Sequence, residues 1–161
     1  MTVNFLHSTL KTISQNGITC TNNGDGTYTL NGTSTSSSNT NFAMPVSPIT
    51  YKGKCKLIGC PPNISNIAEI QSYYDGNWAS KNTDHGNGVI FDYGNLLEWI
   101  SIVVLPNATC NNLIFRPMLT TKLNADYDDF VPYTGNTGHI NSDLAALVKR
   151  IEVLEAIHTS N

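Results

Sequence analysis

Apolar and polar residues alternate with a period of two along most of this chain. In "GITCTNNGDGTYTLNGT", Ile18 and Cys20 on one side of Asn-Gly-Asp-Gly and Tyr28 and Leu30 on the other are each separated by a polar residue. This predicts a β-hairpin with a glycine-supplied turn. The polar run "STSSSNTN" leads into "FAMPVSPITY", whose two prolines suit a sheet edge or a loop. "YKGKCKLIGC" and "IAEIQSYYDGNW" read as strands, and the second sets Ile67, Glu69, Gln71 and Tyr73 on one face against Ala68, Ile70, Ser72 and Tyr74 on the other. The stretch "ASKNTDHGNG" reads as a loop. Beyond it lie "VIFDY", "EWISIVVL" and "CNNLIFRPML", short and rich in β-branched or aromatic residues. At least seven short strands with turns between them, and no helical period before residue 140, predict an all-β sandwich or jelly roll. "TTKLNADYDDFVPYTG" then reads as an extended wrap-around arm.

The closing "NSDLAALVKRIEVLEAIHTSN" changes period. With Leu144 and Ile151 at heptad position a, and Ile140, Leu147 and Leu154 at d, the apolar positions repeat at 3-4 spacing. A C-terminal α-helix is expected after Gly138, capped by Asn141 or Ser142, with Asp143 in its first turn. Arg150 at g and Glu155 at the following e would form an interchain ion pair, while Val148 and Ile157 widen the stripe beyond a narrow dimer seam. A helix this short is marginal alone in water. It needs a partner, either other copies of itself in a short coiled coil or its own β-domain. The expected division is a β-sandwich over 1–138 and an oligomerisation helix over 139–161.

Composition narrows the function. Charged residues make up 13% of the 161 residues, about half of the roughly 25% usual in soluble globular chains. The net charge is −3 and the nine basic residues are scattered, which argues against nucleic acid as a partner. No apolar run approaches the ~18 residues that span a bilayer, so membrane insertion is not expected. The N-terminus shows no basic region followed by an apolar one. Cys20, Cys55, Cys60 and Cys110 are therefore expected to stay reduced as small buried hydrophobes. Cys55 and Cys60 are five apart and no CxxC pair occurs, so neither a metal site nor any other cofactor is expected.

Catalysis is not expected either. His7, His85, His139 and His158 stand in loop, terminal or helix-end contexts with no nucleophile elbow. Asp75, Asp84 and Asp92 suit turn formation better than a glycosidase pair. Binding chemistry concentrates in "YYDGNWASKNTDHGNG". There Tyr74 and Trp78 offer flat apolar faces, and Asp75, Asn77, Asn82, Asp84 and His85 offer short polar groups. Sugars present CH faces for stacking and vicinal hydroxyls for paired hydrogen bonds, which is the mixture such residues serve. The structural alternative makes one tyrosine core and Trp78 a hairpin plug. Trp99, alternating with Ile100, reads as core.

The order "NGITCTNNGDGTYTLNGTST", "KLIGCPPN", "IFRPML" and "DFVPYTG" resembles a carbohydrate-binding-module-like domain that recurs in tail, baseplate and minor structural proteins of bacteriophages and prophages. The resemblance covers about residues 4–135, and its most specific elements are Phe115-Arg116-Pro117-Met118 and Pro132-Tyr133-Thr134-Gly135. It implies a jelly-roll β-sandwich carried on a virion, made in the bacterial cytoplasm, that contacts host cell-surface glycan and neighbouring tail or baseplate subunits. Phage fibres are typically trimers, so it also implies a homotrimeric helix bundle. The shared motifs are structural, and no ligand contact transfers through them. A spacer subunit without sugar binding, and more remotely a glycan depolymerase with two facing carboxylates, are the alternatives.

Overall fold

The computed structural model describes residues 4–7, 10–46, 53–74, 77–93 and 97–133, without the side chains of 74, 77–81 and 98. The expected helix, with Ile140, Leu144, Leu147, Ile151 and Leu154, lies outside the described residues. Within them the chain is all-β and antiparallel. Eleven strands run in order: β1 (Ile13–Gln15), β2 (Ile18–Asn22), β3 (Tyr28–Thr33), β4 (Thr40–Pro45), β5 (Gly53–Ile58), β6 (Ala68–Tyr74), β7 (Asn77–Asp84), β8 (Val89–Tyr93), β9 (Leu97–Val104), β10 (Thr109–Phe115) and β11 (Met118–Thr120). They form sheets of order β1-β2-β3-β10, β11-β5-β8 and β4-β9-β6-β7.

One hydrophobic core joins all three sheets. Tyr28 and Leu30 of β3, Phe42 and Met44 of β4, Leu57 of β5, Ile70 of β6, Ile100 and Ile102 of β9 and Phe115 of β10 share it. The period-two pattern of the sequence is the pattern of burial, and the proline-bearing segment is the edge strand β4, with Pro45 at its end. Two expectations change. "ASKNTDHGNG" is largely strand, because β7 pairs with β6 as the polar edge of its sheet. "CNNLIFRPML" is not one strand: it breaks at Arg116–Pro117, so that β10 pairs with β3 and β11 with β5. Proline has no N–H to continue a ladder, and the break moves the chain from one sheet to another.

That break explains why the Gly59 and Arg116 segments go together. The Arg116 N–H donates to the Gly59 carbonyl at 2.9 Å. Gly59 has φ +134°, and a Cβ there would stand 2.1 Å from the Arg116 carbonyl oxygen. Only glycine permits the approach.

The wrap-around arm is anchored along its length. A single 3-10 turn at Tyr127–Asp129 is closed by a capping box between Asp126 and Asp129. The Arg116 guanidinium lies 4.4 Å over the Tyr127 ring and pairs with Asp128 at 2.9 Å. Beyond the turn, Phe130 and Val131 pack on Ile58, Met118 and Ala125. At the other end of the chain, buried Asn4 donates to the carbonyls of Pro117 (3.3 Å) and Val131 (3.1 Å) and accepts from the N–H groups of Leu6 (2.9 Å) and Leu119 (3.2 Å). Its amide fills all four of its hydrogen-bonding valences.

All four cysteines are buried and free. Burial pushes the Cys20 and Cys55 thiols up to about 12, with the charge of Asp92 adding to it at Cys55, and Cys110 up to about 11. Cys60 is pushed up by burial, then by the charges of Asp84 and Glu69. The expected outcome of thiol titration at pH 8 is no rapid reaction in the native protein and four thiols after denaturation. Because the folded state holds these protons more tightly, their stabilisation is complete below the ordinary thiol value near 9. It is lost as pH rises from there toward 12, which a pH series of urea midpoints would show.

The two glycine environments give a paired test. Gly59→Ala should cost about 3 kcal/mol or more, because backbone must move. Gly24→Ala, at φ +85° but in open space, should cost only about 1 kcal/mol. Denaturant unfolding of both variants measures the difference.

Candidate functional site

Strand parity decides which side chains of the β4-β9-β6-β7 sheet share a face. Ala68, Ile70 and Ser72 are buried with Ile100, Ile102 and Val104 on the core side. Glu69, Gln71 and Tyr73 therefore stand on the opposite face, as the sequence alternation predicted. The register completes that face in three cross-strand rows. Pro45, Trp99 and Tyr73 form the first; Ala43, Ser101, Gln71 and Thr83 the second; Asn41, Val103 and Glu69 the third. Its rim is open at Asn41, Pro45 and His85, while Tyr73, Ser101, Val103 and Glu69 are withdrawn from solvent.

A hydrogen-bonded chain runs down this face. The Tyr73 hydroxyl donates to Gln71 Oε1 at 2.6 Å. Gln71 Nε2 donates to Glu69 Oε1. The other Glu69 oxygen meets His85 Nδ1 at 3.1 Å, with His85 about half exposed and Glu69 largely buried. The Tyr73 phenol is pushed above its ordinary value, first by burial and then by the Glu69 charge. Among the described residues no three His, Cys, Asp or Glu side chains converge as a metal site.

The structure divides the residues that the sequence grouped as one sugar site. Tyr74, Asn77 and Trp78 belong to the β6–β7 hairpin, where Tyr74 pairs with Asn77; Asp75 lies outside the described residues. Asn82, Asp84 and His85 are at the far end of β7, roughly 20 Å away for an extended strand of this length. Parity separates them further. Asn82 pairs with Ser72, to whose hydroxyl its amide donates at 3.2 Å, and Asp84 pairs with Ile70, so both are on the core side. His85 reaches the opposite face, through Glu69.

Asp84 is withdrawn altogether. It is 0% exposed, and its Oδ2 accepts from the Cys60 N–H at 2.9 Å while Oδ1 accepts from Gly86 (2.8 Å) and Gly88 (2.7 Å). This is the turn-forming use of Asp, carried into the core. Trp99 departs from expectation in the other direction. It is half-buried on the face of Tyr73, opposite Ile100, rather than in the core. Cross-strand register with Tyr73, set by the β6 alternation, was the signal for it, and a single strand read alone does not contain it.

No family model, curated protein or solved structure matches this chain.

Removing the Asp84 carboxylate would orphan two buried N–H groups and one part-buried one at once. Asp84→Ala should cost at least about 3 kcal/mol, and Asp84→Asn, which keeps one acceptor oxygen, should lose less. Urea unfolding ranks the two.

Proposed function

We propose that this chain is a non-catalytic carbohydrate-binding module of a phage tail or baseplate, a jelly-roll sandwich that holds host cell-surface glycan at the hairpin end of its β4-β9-β6-β7 sheet. The observation that carries this reading is the row in which half-buried Trp99 stands beside Tyr73, next to the strand positions of Tyr74 and Trp78 and one row from the polar Gln71 and Thr83. Aromatic faces stack on the CH face of a pyranose, and amide and hydroxyl groups one row away meet its hydroxyls. Such a site is weak singly. The heptads of residues 140–154 would supply three copies in one orientation, and avidity then raises the strength of adhesion. In this reading the partners are the glycan, neighbouring tail or baseplate subunits and two further copies of the chain.

The test is a glycan array and a host-cell adsorption assay with the full chain. Trp78→Ala and Trp99→Ala should each reduce binding at least tenfold while unfolding stays cooperative. Trp78→Ala should leave the thermal midpoint nearly unchanged, where truncating a core tryptophan would cost about 3–5 kcal/mol. Deleting residues 140–161 should convert trimer to monomer by light scattering and remove most cell adsorption. Wild-type protein that binds no glycan and no host cell would make the module a spacer subunit.

A further inference from the structure

Resting on that reading, we infer that the site selects neutral glycans bearing a free vicinal diol, with Gln71 the residue that reads the diol and Glu69 the positioning residue that fixes its orientation. An unbound glutamine amide presents its oxygen and nitrogen interchangeably, since the group can turn over. Here it cannot. The Glu69 carboxylate only accepts, so the amide edge facing it is nitrogen, and the edge facing the Tyr73 hydroxyl is oxygen.

The remaining valences define what the amide can bind. Of its two N–H groups one is spent on Glu69, and of its two lone pairs one is spent on Tyr73. One N–H and one lone pair are left on a planar group that is only half-buried. Adjacent hydroxyls on a pyranose ring match that pair, one accepting from nitrogen and its neighbour donating to oxygen. Half-buried Trp99, in the neighbouring row and backed by buried Tyr73, gives the ring a surface to lie against.

Charge sets the class of sugar. The carboxylate of Glu69 stands directly behind the reading group, held on its far oxygen by His85. Apart from His85, already engaged on the far oxygen of Glu69, the described side chains of this face carry no positive charge. A uronate, sialylated or phosphorylated glycan would place its own charge against Glu69, so anionic sugars are disfavoured.

The experiment uses the full chain on an array of neutral, sialylated and uronate oligosaccharides, read before and after mild periodate, which cleaves the bond between vicinal hydroxyls. Neutral glycans should be retained, and periodate should abolish their binding. Gln71→Leu should weaken binding about tenfold, the loss expected for two neutral hydrogen bonds. Glu69→Gln, which keeps the shape but removes both the charge and the fixed orientation, should bring anionic glycans within about threefold of neutral ones. Thermal unfolding confirms that each variant is folded; should Gln71→Leu not fold, the periodate and charge arms on the wild-type chain decide the matter. Preference for anionic glycans, persistence after periodate, or unchanged binding by folded Gln71→Leu would overturn this inference and leave the glycan reading standing. A blank array and no host-cell adsorption would overturn both.

Discussion

The structure depends most on a carboxylate that never meets solvent. Asp84 ends β7, in the sheet of β4, β9 and β6. Its two oxygens receive the backbone just after β5 and the turn that starts β8, both belonging to the sheet of β11 and β5. One side chain thereby ties two sheets at the level of their backbones. Hydrophobic burial brings sheets together but is indifferent to small slides. Three hydrogen bonds to one buried group are not. Gly86, at φ +106°, has no room for a side chain against Pro61 and Pro62, so the turn and the post-β5 loop close on each other around the same point. The face that carries Glu69, Gln71 and Tyr73 lies on the back of the strand that pairs with β7, and its register is set by this joint.

Much of the fold was legible because half-burial writes itself into sequence as alternation. The strands at Tyr28–Thr33 and Ala68–Tyr74 were visible for that reason, Val89–Tyr93 through its β-branched and aromatic residues; the prolines after Phe42 left a sheet edge or a loop open, and β4 is the edge. β7 was hidden because an edge strand with polar residues on both sides loses the alternation. The composition of "ASKNTDHGNG" then reads as loop chemistry. The break at Arg116–Pro117 was hidden because its cause lies elsewhere in the chain, in Gly59, whose meaning appears only when the two backbones meet.

The candidate site shows the same division. That Glu69, Gln71 and Tyr73 share a face follows from parity within one strand and could be read directly. Which residues of other strands join them depends on register, and register is a property of pairs. Trp99 enters through its pairing with Tyr73; Asn82 and Asp84 leave through theirs with Ser72 and Ile70. Proximity in sequence grouped Tyr74 with Asp84, but a strand eight residues long stands between them.

Asn4 has a mechanical consequence. Its amide bonds Val131 and Pro117 together, and His7 sits with its ring 5.0 Å from that of Tyr133. The segments at residues 4–7 and 131–133 thus lie side by side on the body. A tension applied between these two segments is carried first across that short clasp and through it into β11, to which Asn4 and Phe5 are both bonded at Leu119.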